Sequence, residues 1–148
     1  MMTPKGPKVI EYNCRFGDPE TQVVLPLLES DLFEIMRAVS EGRLDLADVR
    51  FCNGAACCVV MASEGYPVKY ETGYEITLPE APEDCFIFSA GTKLENGKLI
   101  TSSGRVLGVT AVAKTLESAV EKAYGAVKTV RFSNAYYRKD IGKKALEK

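Results

Sequence analysis

The sequence predicts an α+β fold: a strand and short helices first, then a mainly antiparallel sheet with one long covering helix. Three observations carry this expectation. The run AACCVVMA, residues 55–62, is uninterrupted and apolar, the right length for a buried strand and far short of a membrane span. Asn96-Gly97 sits inside residues 93–101, where a tight hairpin needs two residues at positive φ. Leu116, Ala119, Val120, Ala123 and Val127 recur at helical spacing behind Thr115, a capping residue.

Taken in order, Val9, Ile10 and Tyr12 give residues 8–15 the β-branched and aromatic character of a strand. Asp18-Pro19 reads as a helix start, with Asp18 capping free N–H groups and Pro at the first helical position. A short helix is therefore expected from Pro19 toward Leu25, and Pro26 should end or kink it. A second helix follows Ser30 or Asp31, carries Leu32, Ile35, Met36 and Val39 on one face, and stops at Gly42. Residues 43–50 form a polar connection, and residues 64–67 a turn. Strands are expected at 74–78, 85–90 and 105–113, and a final short strand and loop at 135–142. No repeat or low-complexity segment interrupts the pattern.

Composition narrows the function. The chain has 148 residues, enough for one domain or a large piece of one, with 46% hydrophobic and 26% charged residues, the balance of a globular protein. A net charge of -1 supplies no field for holding nucleic acid or anionic lipid. The C-terminal Lys and Arg residues are interspersed with acids and read as a solvated tail. The N-terminus lacks the apolar stretch of a secretory signal, so the five cysteines are expected to be reduced core residues of a cytoplasmic protein. Zinc is the sharper alternative for them. Against it, Cys52, Cys57 and Cys58 lack Cys-x-x-Cys spacing and the chain has no histidine. Without histidine, neither a Ser-His-Asp triad nor an imidazole acid–base step can be built. Chemistry must fall to carboxylates, amides, Lys or Arg, backbone groups and bound metal.

One segment has that content. On a strand, Glu11 and Asn13 project from the same face, and a carboxylate with an amide carbonyl suits magnesium that shares its remaining ligands with phosphates. Arg15 follows on that face, where it can pair with phosphate oxygens. Spacing alone leaves a plainer reading open: two polar residues on a solvent-facing strand, and an arginine in a surface ion pair.

The longer string VIEYNCRFGDPETQVVLPLLESDL resembles the end of the ATP-grasp domain of the phosphoribosylamine–glycine ligase family. The resemblance continues through ASEGYPVKYETGYEI, FSAGTKLENGKLITSSGRVLGVTA and AYYRKDIGKKAL, and covers essentially the whole chain in family order. It implies that residues 1–50 end an ATP-grasp domain and that residues 51–148 form the C-terminal α+β domain. It also implies an ATP-dependent ligation in purine synthesis. Glycine and 5-phosphoribosylamine are joined through a glycyl phosphate, with release of ADP and phosphate. By motif, Glu11 and Asn13 would be ligands of Mg²⁺ or Mn²⁺, and Arg15 and Asp18 catalytic. Gly17 and Arg105 would contact substrate.

The chain departs from the family at Ser89, where His is common, and at Ser103, where Gly is common. Gly91, Gly104 and Gly108 fit either a ligand role or close packing. No Gly-rich phosphate loop or adenine-binding segment is present, so the chain reads as a C-terminal portion, expected to be inactive alone, with its unpaired N-terminal strand either mobile or paired with a second copy of the fragment. The alternative is a free-standing interaction or small-ligand-binding domain of the same fold without catalysis.

Overall fold

A computed structural model describes residues 1–147. Its centre is a four-stranded antiparallel sheet whose strands lie in the order Cys85–Ser89, Arg105–Ala113, Ala55–Ser63 and Ala135–Tyr136. The chain opens with a two-residue hairpin pair, β1 (Met2–Thr3) and β2 (Gly6–Pro7). Then come α1 (Thr21–Val24), a 3-10 turn over Leu25–Leu27, α2 (Leu32–Ser40) and a second 3-10 turn over Leu44–Leu46. β3 (Ala55–Ser63) is followed by β4 (Cys85–Ser89), the hairpin β5 (Thr92–Glu95) and β6 (Lys98–Thr101), and β7 (Arg105–Ala113). The long helix α3 (Leu116–Val127), β8 (Ala135–Tyr136) and α4 (Lys143–Leu146) complete it.

The apolar run became β3, and its pairing with β7 forms the spine of the molecule. Cys57 faces Ala111, Val59 faces Val109 and Met61 faces Leu107, all on one side of the sheet. That side receives α3, whose Ala119, Ala123, Ala126 and Val127 are buried against it. Thr115 caps the helix by accepting from the Ser118 N–H at 3.3 Å, as its position predicts. The opposite side, with Cys58, Gly108 and Thr110, carries α1: the Thr110 hydroxyl donates to the Gln22 carbonyl at 2.9 Å. At the hairpin tip Asn96 (φ 51°) and Gly97 (φ 77°) form the predicted pair of left-handed residues.

Four expectations are corrected. Residues 8–15 form no strand. A strand exists only through its ladder, and residues 9–16 make no backbone–backbone hydrogen bond with any described residue. Val9, Ile10 and Tyr12 are exposed. Residues 74–78 are not a regular strand either. Glu75 bridges Ile100 and Thr77 bridges Arg131, so the segment changes partner before a ladder can repeat. The first helix starts at Thr21, after Glu20 and not Asp18, whose carboxylate is engaged elsewhere; it is α-helical only to Val24, and Pro26 lies in the 3-10 turn that follows. Beyond the predicted terminal strand and loop lies the unpredicted turn α4, beside Arg138, which grips the Asp140 carboxylate with two bonds of 2.9 and 2.7 Å.

The second helix forms where the pattern placed it, with Asp31 accepting from the N–H groups of Phe33 and Glu34. Its apolar residues occupy more than half of its circumference, yet of these only Ala38 is buried, while Phe33, Met36 and Val39 stay exposed.

All five cysteines are free thiols. Burial pushes the Cys57 thiol up, with Cys58 adding to it. Burial raises Cys58 as well, partly offset by Thr110, and burial raises Cys85 against the pull of Lys122. A raised thiol titration leaves less thiolate at a given pH, so these groups should react slowly. At pH 8 a thiol-specific disulfide reagent should therefore modify exposed Cys14 rapidly, and Cys57, Cys58 and Cys85 only on unfolding. Rapid native-state labelling of Cys57 would mean that α3 lifts from the sheet.

Candidate active site

Arg105 opens β7, opposite Ala62 and immediately beyond a β-bulge between Met61 and Ala62. A bulge re-aims the side chains beside it. Here the guanidinium is directed at the turn before α1: Nη2 lies 3.0 Å from Asp18 Oδ2, and Nη1 donates to the Asp18 backbone oxygen at 3.0 Å. The other carboxylate oxygen of Asp18 accepts from Gln22 Nε2 at 2.8 Å. Two candidate residues that lie 87 positions apart in sequence are thus in direct contact. Among the described residues these two contacts with Asp18 are the polar contacts of the Arg105 guanidinium, which carries five N–H donors.

Asp18 and Arg105 line an open cavity of about 320 Å³ with Tyr66, Ala90, Gly91 and Ser103. The loop carrying Arg105 is fastened to its surroundings. Fully buried Ser63 donates its N–H to the Gly104 oxygen at 2.8 Å and its hydroxyl to the Ser103 oxygen at 3.2 Å. Gly91 accepts from the Ser102 N–H and donates to the Arg105 oxygen, both at 2.8 Å. The glycines here answer to packing. A side chain on Gly91 would run into Ser103 and the Arg105 carbonyl, and one on Gly104 into the Tyr66 ring. Ser103 is exposed at the cavity rim, and Ser89 ends β4 opposite Leu107.

The remaining predicted residues lie together upstream. Asn13 Nδ2 approaches Glu11 Oε1 at 3.5 Å, and both are exposed. Glu11 has no cationic partner among the described residues, and rotation of the Asn13 amide would present two hard oxygens to one cation. Among the described residues no three His, Cys, Asp or Glu side chains gather as a cage, so the pair fits a cation that draws its other ligands from phosphate and water. Arg15 donates to the Phe16 carbonyl at 3.1 Å, and a side chain on Gly17 would strike the Glu20 carboxylate. The sequence reading missed Tyr66, Ser63 and Gln22. Tyr66 lies within the quoted string ASEGYPV, where Gly-Tyr-Pro registered only as a turn.

This geometry belongs to a recognisable class. Residues 56–144 match the family described as phosphoribosylglycinamide synthetase, C domain. The chain belongs to that family. It is 54% identical, over 99% of its length, to a bifunctional purine biosynthetic protein of Pichia angusta, covering 19% of that protein. It is 51% identical over 99% of its length to the phosphoribosylamine–glycine ligase of Chlorobaculum tepidum, covering 35% of it. The crystal structure of the Thermotoga maritima phosphoribosylamine–glycine ligase superposes with a TM-score of 0.77 at 40% identity, over 95% of this chain and 35% of that one. The chain thus spans between 15% and 36% of the length of the curated relatives it matches. No helix among the described residues is long and apolar enough to cross a membrane.

Proposed function

We propose that this chain supplies the C-terminal part of an ATP-dependent ligase that joins glycine to 5-phosphoribosylamine. The observation that carries the reading is the convergence of Asp18 and Arg105 on one cavity, within a chain about half identical to named ligases along nearly all its length. Residues 1–50 would close an ATP-grasp domain, and residues 51–148 would form the substrate-facing domain behind it.

In that reading each residue has a definite task. Arg105, held in place by Asp18, presents its spare donors to the phosphate of phosphoribosylamine. Asp18 orients that guanidinium, with Gln22 fixing the carboxylate in turn. Gly17, where a side chain would strike the Glu20 carboxylate, lets the turn that carries Asp18 close tightly and would contact substrate through its backbone. Arg15 offers charge to the phosphates of ATP. Glu11 and Asn13 would hold Mg²⁺ or Mn²⁺, which when bound neutralises charge on the transferring phosphoryl group. Holding the amine against a glycyl phosphate gains rate by proximity, and no histidine base is needed.

In the full-length ligase, Arg105→Ala should raise KM for phosphoribosylamine by about tenfold or more with kcat little changed, since a remote phosphate clamp binds ground and transition states alike. The pair is exposed on both sides, so its loss should cost little stability. Steady-state kinetics with thermal melts decides the matter. An unchanged KM with a lowered melting point would make Arg105 a clasp between the N-terminal turn and the sheet.

A further inference from the structure

Tyr66 is the part of the cavity with no evident work. The residue is 42% exposed, and its hydroxyl makes no hydrogen bond with any described residue. Yet the ring is tightly placed. It fills the space a side chain on Gly104 would take, one residue before Arg105. Tyr70 braces it edge-on, with centroids 5.7 Å apart at 62°. Its own N–H donates to the Ser63 oxygen at 3.1 Å, and Ser63 in turn holds the carbonyls of Ser103 and Gly104. One turn therefore grips the arginine loop twice, by hydrogen bonds through Ser63 and by the ring through Gly104.

We propose that Tyr66 is a positioning residue: pressed on the Gly104 peptide and braced by Tyr70, its ring sets the direction in which Arg105 leaves β7, and so sets the affinity for a phosphorylated sugar amine without touching its phosphate. This rests on the reading of Arg105 as the phosphate contact. Hydrogen bonds from Ser63 hold the Ser103 and Gly104 oxygens, and the ring adds a steric wall against Gly104, which has no side chain of its own.

The test is a double-mutant cycle in the full-length ligase with Tyr66→Ala, Tyr66→Phe, Arg105→Ala and the Tyr66→Ala/Arg105→Ala pair. Tyr66→Ala should raise KM for phosphoribosylamine about tenfold while KM for ATP and glycine stays within about twofold, a selectivity that general loosening of the fold would not produce. Tyr66→Phe should behave as wild type. The double variant should match Arg105→Ala alone, because a residue acting through another adds nothing once that one is gone. Gly104→Ala, which pushes the ring aside with Tyr66 intact, should reproduce the selective rise and serves should Tyr66→Ala fold poorly. A double variant worse than Arg105→Ala would mean that Tyr66 contacts substrate itself and overturns the proposal. So does a silent Tyr66→Ala beside a strong Arg105→Ala. If Arg105→Ala leaves KM unchanged, the assignment of Arg105 fails first and this inference with it.

Discussion

Glu11→Gln in the full-length ligase should lower turnover about a hundredfold or more, because a ligand to a metal that stabilises transferring phosphate is worth several kcal/mol in the transition state. Gln keeps the size and one oxygen but removes the charge. Asn13→Ala, which removes the neutral ligand of the proposed metal site, should act in the same direction and less strongly. Neither change should move the melting temperature. Both side chains are exposed, and apart from their mutual 3.5 Å contact neither bonds to another described residue. The magnesium concentration giving half-maximal rate should rise in both variants. Near-normal turnover at modest magnesium for either variant would remove it from the metal site.

The largest effect on stability is expected from Leu107→Ala. Leu107 is fully buried, lies opposite Met61 on β3 and Ser89 on β4, and belongs to the cluster that α3 covers. Truncation leaves a cavity that the paired strands on either side cannot collapse, for a loss of about 2–5 kcal/mol. Urea titration should show a lower midpoint with an unchanged slope. Leu94→Ala on β5 is the natural control: the side chain is exposed, so the change should stay within about 0.5 kcal/mol. Equal effects from the two would mean that the core is not organised around β7.

Elements whose stability is local were legible from residues alone. The apolar run of β3, the Asn96-Gly97 turn, the Asp31 and Thr115 caps and the spacing of α3 each carry their reason within a few positions. Elements that depend on a distant partner were not. Residues 8–15 have strand-like composition, but no neighbouring strand among the described residues completes a ladder. Residues 74–78 divide their bonds between Ile100 and Arg131, a change of partner that no periodicity encodes. Asp18 looked like a helix cap because Asp-Pro often is one, and its actual contact with Arg105 lies across 87 positions. The family resemblance named Arg105, Asp18, Glu11 and Asn13 as residues of interest. It could not show that the first two touch, nor that Tyr66 stands behind them.

The alanines at 119, 123 and 126 of α3 have a consequence on an evolutionary timescale. All three are buried against the sheet, where a methyl group is all that separates helix backbone from strand side chains. A larger residue at any of them would lift the helix and forfeit contacts along its whole length, a cost of about 1–3 kcal/mol in a packed core. Substitutions at Glu117, Glu121 and Lys128, which face solvent, should therefore cost little, whereas substitutions along the alanine seam should be poorly tolerated. A narrow tolerance for change is thus expected on the side of the sheet that packs against α3, opposite the face that carries α1, where mutation would alter the spacing of the layers and leave the cavity's own residues untouched.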